Sequence, residues 1–147
     1  MNPRRATLII ALGALACQAP PPDRETLQSQ LPERPYSAAV RVGDTYYLAG
    51  KIGVTEETRE MAEGRTVAEV RNIMEAYAVL FGELGLEFAD IVQASVFLVD
   101  IDDYDIMNQA YGEYFTEDPP ARTTVAVSAL PGGARVEIAF TAVKARR

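Results

Sequence analysis

A chain of 147 residues, 48% hydrophobic and 24% charged, has the size and composition of one globular domain with a proper core. Its formal charge of −7 gives a surface that repels phosphate backbones, which argues against a nucleic-acid partner. It contains no histidine, so Ser-His-Asp and Cys-His nucleophile pairs and the commonest metal ligand are excluded; no metal site is expected, and any chemistry has to run on carboxylates, Arg, Lys, Tyr, hydroxyls and backbone dipoles.

The first 17 residues combine a short basic start (Arg4, Arg5), an uncharged run over 6–16 and small residues before Cys17. Eleven residues are too few to span a bilayer as a helix, so the segment reads as an export signal. Gly13-Ala14-Leu15-Ala16-Cys17 also resembles the lipobox of bacterial lipoproteins, in which the cysteine is lipidated and becomes the new N-terminus. The expectation is an exported chain, periplasmic or membrane-anchored through Cys17, with a plain secretory signal and a cytosolic N-terminal helix as the alternatives. Without Arg4 and Arg5 the 14 basic residues fall to 12 against 21 acidic, a charge of −9. The proline-rich, polar residues 18–33 read as a tether, and the domain is expected over 34–147.

From Tyr36 the pattern becomes regular. SAAVRVGDTYYLAGKIGV reads as two strands joined by a turn at Gly43-Asp44. After a charged loop, Thr66-Val67-Ala68-Glu69 has the spacing of a capping box and predicts a helix start. Val67, Val70, Met74, Tyr77, Phe81 and Leu84 step by three and four, with Ile73 and Leu80 widening the stripe, and Gly85 is placed to cap the C-terminus. Residues 91–99, β-branched and aromatic, predict a central strand. Asp100, Asp102 and Asp103 offer caps for a second helix from Tyr104 to about Phe115, with Tyr104, Met107, Tyr111 and Tyr114 at helical spacing. Beyond Pro119-Pro120, residues 122–127 predict a strand, Leu130-Pro131-Gly132-Gly133 a turn and residues 135–144 a closing strand. The order β-β-α-β-α-β-β predicts an α+β, two-layer sandwich of one mixed sheet with both helices on one face. No internal repeat, glycine-rich phosphate loop or CxxC pair appears.

In the last strand Val136, Ile138, Phe140 and Ala142 mark the core face, yet the other face ends in Ala, Thr and Val rather than in charge. A semi-apolar open sheet face predicts self-association. If residues 130–134 make a simple hairpin, Glu137 falls almost opposite Thr124, with Arg122 further along the same face. Read structurally, Arg122 and Glu137 are an interface ion pair. Read chemically, the guanidinium is a fork for a carboxylate ligand and the glutamate orients or deprotonates a water.

Several stretches together carry a resemblance: Arg34-Pro35-Tyr36-Ser37, Ala49-Gly50-Lys51-Ile52, the strand from Asp90 to Asp100, Asn108-Gln109-Ala110-Tyr111, Tyr114-Phe115-Thr116-Glu117, Pro120-Ala121-Arg122-Thr123-Thr124-Val125 and Val136-Glu137-Ile138. In this order they resemble the Rid family of reactive intermediate deaminases (RidA/YjgF type) over about 34–147. The resemblance implies a chorismate-mutase-like fold assembled as a homotrimer, with three clefts between subunits and no metal or organic cofactor. It implies hydrolysis of enamines or imines of small 2-amino acids, such as 2-aminoacrylate, to the 2-keto acid and ammonia. Carried over, Arg122 grips the substrate carboxylate, Glu137 activates water, Tyr36 lines the cleft, Gly50 offers a backbone contact, and Asn108 and Thr124 shape the pocket. Three positions depart from the usual pattern: Ala49 for Ser, Thr124 for Cys and Arg34 for Gly. The alternative is a non-catalytic exported binding protein whose cleft takes a small carboxylate or a protein partner. Ribonuclease activity, ascribed to some relatives, is disfavoured by the acidic charge and the lack of histidine.

Overall fold

A computed structural model describes residues 23–28, 34–55 and 65–145. Cys17, the leader and both ends of the expected tether lie outside them. One mixed sheet contains β1 (Arg24–Gln28), β2 (Ser37–Val42), β3 (Thr45–Leu48), β4 (Lys51–Ile52), β5 (Ile91–Leu98), β6 (Ala121–Ala126) and β7 (Val136–Val143), with α1 (Arg65–Leu84) and α2 (Tyr104–Gly112) packed on one face. The spatial order is β1-β2-β3-β7-β5-β6, with β4 also on β7; β5 and β6 run parallel and the other pairs antiparallel.

The long helix follows its sequence pattern. Val70, Ile73, Met74, Tyr77, Leu80 and Phe81 are buried, and in the core they meet Val96, Leu98, Val136, Ile138 and Phe140 from the sheet. Each such side chain contributes about 1.5–3 kcal/mol by leaving water. Gly85, at φ +63°, takes the left-handed conformation that lets the Leu86 N–H reach back to the Phe81 carbonyl, 2.9 Å away, and closes the helix as expected. Gly43, at φ +60°, makes the β2–β3 turn.

Four expectations change. Strand β1 lies in the stretch read as tether: Thr26 pairs with Val40 and Leu27 packs against the core. RETLQ has no alternating apolar pattern to announce it, and its place comes from the open backbone edge of β2.

The capping box does not form. Instead, the Thr66 hydroxyl donates to Asp103 and accepts from Arg135 Nε, while Glu69 Oε2 accepts the backbone N–H groups of Arg135 (2.8 Å) and Val136 (3.1 Å). The start of β7 brings two N–H groups against α1, and a buried donor without a partner is costly, so the tertiary acceptor wins over the local one. Arg135 completes the cluster with Nη2 to Asp103 Oδ2 at 2.7 Å.

The second helix ends at Gly112 rather than near Phe115. Its lead-in is capped by Asp100, which accepts from the Asp102 N–H at 3.0 Å.

The fourth change concerns the last two strands. They form no hairpin: β5 lies between β6 and β7, so Val96 is flanked by Thr124 on one side and Ile138 on the other. A parallel β6 fits because the chain reaches it from β5 by way of α2, a crossover rather than a tight turn.

Candidate functional site

The end of α2 and the double proline set the position of Arg122. Pro119 and Pro120 cannot extend a helix and deliver the chain into β6, an edge strand with β5 as its one neighbour. Arg122 pairs with Ala94, whose side chain is fully buried on the helix side, so Arg122 points beneath α2. Tyr104, Asn108 and Tyr111 recur at i, i+4 and i+7 and present one face of α2 to it. Arg122 Nη2 donates to Asn108 Oδ1 and, at 3.4 Å, to the Tyr104 hydroxyl. The guanidinium carbon lies 4.7 Å from the Tyr111 ring centroid and 5.7 Å from that of Tyr104. Two rings and an amide therefore hold the cation in one orientation while Nη1 and Nε make no hydrogen bond among the described residues.

This cation opens onto a cleft of about 490 Å³ lined by Asn108, Tyr111, Phe115, Pro120 and Thr124 among others. The hydroxyls of Tyr111 and Thr124 are buried with no hydrogen-bond partner among the described residues. Burial pushes the Tyr111 phenol up to about 12, against the pull of Arg122, so it stays a donor. The Asn108 amide, and then the Arg122 guanidinium, hold the Tyr104 phenol below its ordinary value. A fixed cation among aromatic walls and hydroxyl donors is suited to a small planar carboxylate.

Glu137 stands elsewhere. It pairs with Phe97, three residues along β5 from Ala94 and therefore on the opposite face of the sheet. The Arg122–Glu137 patch expected from a hairpin is thus not formed within one chain, because the intervening strand separates the two residues and the parallel register turns Arg122 to the helix side. Glu137 has Gly50 beneath it: a Cβ on Gly50 would fall 2.1 Å from Glu137 Oε1, so only glycine leaves the carboxylate its place. Tyr36 is half-exposed just before β2, where the Ala49 N–H bonds to the Ala38 carbonyl, and Arg34 Nη1 donates to its hydroxyl at 3.2 Å.

The structure therefore gathers Arg122, Asn108 and Thr124 into one cleft, and Glu137 and Gly50 into a second group on the other face. The tyrosine pair around Arg122 was visible in the sequence as helical spacing alone. Its use as a clamp depends on where β6 passes under α2.

Fold and site together define an α+β domain with a carboxylate-sized cationic cleft at a sheet edge. The chain belongs to the family described as endoribonuclease L-PSP, whose profile matches residues 26–144, and this bears out the resemblance to Rid proteins. It is 44% identical to protein DfrA of Myxococcus xanthus over 111 residues, 74% of this chain and 85% of that one. It is 34% identical over 110 residues to the human 2-iminobutanoate/2-iminopropanoate deaminase, 75% of this chain and 80% of that protein. Among solved structures, RidA from an Antarctic Psychrobacter superposes with a TM-score of 0.73 at 32% identity, over 81% of this chain and 94% of that one. The Rid-family protein YyfA of Yersinia pestis superposes with a TM-score of 0.76 at 28% identity, over 83% and 100%.

Proposed function

We propose that this protein hydrolyses the reactive enamine or imine of a small 2-amino acid to the 2-keto acid and ammonia, without metal or organic cofactor. The observation that carries the reading is the clamped Arg122 guanidinium at the floor of a cleft sized for a small carboxylate; relatives about 35% identical are named imine deaminases.

An imine carbon is already electrophilic, so the enzyme has to orient the substrate, supply a water and move protons. Arg122 holds the carboxylate, with Asn108 fixing the guanidinium and Thr124 on the wall. Glu137, seated over Gly50, takes a proton from water as the water oxygen bonds to the imine carbon, and the imine nitrogen receives the electron pair and a proton. The resulting carbinolamine passes its hydroxyl proton, by way of Glu137, to the nitrogen as the C–N bond breaks, releasing ammonia and the keto acid.

Since Arg122 and Glu137 lie on opposite sheet faces, the complete site belongs to a closed homotrimer, in which Arg122 of one protomer meets Glu137 of the next. The open face supports this assembly: Tyr47, Val125 and Val143 are exposed apolar side chains there, on strands that also place Ser95, Phe97 and Ala139 on that side. A second reading, a non-catalytic carboxylate-binding protein, is favoured by the fact that the cleft of one chain holds Arg122 without Glu137. Residues 1–17 enter either reading as an export signal with Cys17 as the lipid acceptor, which palmitate labelling of the wild type but not of Cys17→Ser checks.

The deciding experiment generates 2-aminoacrylate in situ, adds the domain lacking residues 1–17 and follows loss of the semicarbazide-trapped adduct. Acceleration by wild type and none by Arg122→Ala is expected. No acceleration by wild type, or equal acceleration by the variant, defeats the enzymatic reading, and keto-acid binding that depends on Arg122 without turnover establishes the binding protein.

A further inference from the structure

The stretch that carries Gly50 is interrupted between its pairings with Thr141 and Ile138, one residue short of the Ile52–Glu137 pair. Tyr47 pairs with Thr141 of β7, but Lys51 pairs with Ile138, so residues 48–50 face residues 139–140 and one extra residue is accommodated. That is a β-bulge, the device that re-aims a strand beside functional groups. A bulge takes carbonyls out of the ladder, and inside a core they need other donors.

The donor comes from α1. Tyr77 is fully buried, and its ring is packed against Phe140 (centroids 4.6 Å apart) and Phe81 (5.7 Å). Its hydroxyl lies 2.8 Å from the Ala49 carbonyl oxygen and 2.9 Å from that of Ile138. Ala49 precedes Gly50 and Ile138 follows Glu137, so one hydroxyl ties together the two backbone segments that bring Gly50 under the carboxylate. A phenylalanine would fill the same core, whereas a hydroxyl at this depth is costly unless paired, so the oxygen is explained by these two carbonyls. Burial, and then the negative charge of Glu137, push the phenol up, which keeps it a donor.

We infer that Tyr77 is a positioning residue for the Glu137 half of the site: its hydroxyl, shared between the Ala49 and Ile138 carbonyls, holds closed the bulge that seats Gly50 beneath the carboxylate. The catalytic consequence rests on the deaminase reading, while the structural one does not. Removing the hydroxyl takes this donor from the Ala49 and Ile138 carbonyls, lets the bulge relax and shifts Glu137 relative to the substrate. Arg122 lies two strands away on the other face and is untouched.

The test compares Tyr77→Phe with wild type as assembled protein, after circular dichroism and mass establish the same fold and oligomer. Turnover should fall about tenfold with KM within about twofold, the pattern of a misplaced catalytic group rather than of weakened binding. Amide exchange at Gly50, Lys51 and Ile52, followed by NMR, should accelerate by about tenfold or more, with the β5–β7 amides unchanged. Unchanged exchange at 50–52 overturns the inference whatever the kinetics, and faster exchange with unchanged kcat in an active enzyme overturns the positioning role. If wild type shows no turnover the deaminase reading falls, and exchange alone decides whether the hydroxyl holds the bulge.

Discussion

Arg122 owes its usefulness to its neighbours: an amide and a phenol fix one corner of the guanidinium, and its carbon lies 4.7 Å and 5.7 Å from two tyrosine ring centroids. An ammonium in its place keeps the charge but loses the fork, so Arg122→Lys should lower kcat/KM by about a hundredfold, about 2.7 kcal/mol, in the trapped-adduct assay. Asn108→Ala frees the cation to reorient and should raise KM by about tenfold with a smaller effect on kcat.

Glu69 titrates unusually for a different reason. Burial raises its carboxyl above the ordinary 4.5, outweighing the Arg135 and Val136 N–H groups that favour the charged form. A raised folded value means that the protonated group suits the fold better, so this contribution is complete below about 4.5 and is lost as the pH rises through the folded value. In Glu69→Gln the amide oxygen can accept the same two N–H groups without a charge. Thermal midpoints at pH 4 and pH 8 should therefore show the variant gaining on wild type as the pH rises.

At the scale of elements, the two glycines that flank β4 have opposite tolerances. An added Cβ at Gly50 meets the end of the flexible Glu137 side chain, so Gly50→Ala should fold, with a small change in melting temperature, and lose most of its turnover because the carboxylate is displaced. At Gly53 the Cβ would fall 2.3 Å from the Glu69 Cα, in the body of α1, where nothing can rotate away. Gly53→Ala should cost about 1–3 kcal/mol and lower the melting temperature by several degrees, read by calorimetry.

Both helices were legible in the sequence because their signal is local: the stripe from Val70 to Phe81 and the Gly85 cap need nothing beyond their own turns. Thr66 and Glu69 carried an equally local signal, and it failed because β7 arrives with two N–H groups that outcompete the helix end. The partner of β6 was not legible. A turn-like Leu130-Pro131-Gly132-Gly133 suits a hairpin in sequence, and the decision for β5 lies in packing between residues far apart along the chain.

At the scale of the whole molecule, a site divided between protomers makes a prediction that a site within one chain does not. Arg122→Ala and Glu137→Ala should each be inactive, yet refolded together at equal concentration they should recover about one quarter of wild-type activity, the share of clefts that random closed-ring assembly leaves with both intact residues. Sedimentation should give the trimer mass, and Val125→Asp, which places a charge on the open sheet face, should shift it towards the monomer.

The sequence by itself determined the residue types available for chemistry, the helices, the alternation of the core strands and the family, since these rest on composition, short-range periodicity and motifs in order. Tertiary structure alone decided that β5 separates Arg122 from Glu137, that the two face opposite sides of the sheet, and that Tyr104 and Tyr111 clamp the guanidinium. Strand pairing and side-chain facing follow from non-local packing, and with a side-chain period of two a single change of partner or register moves a residue to the other face.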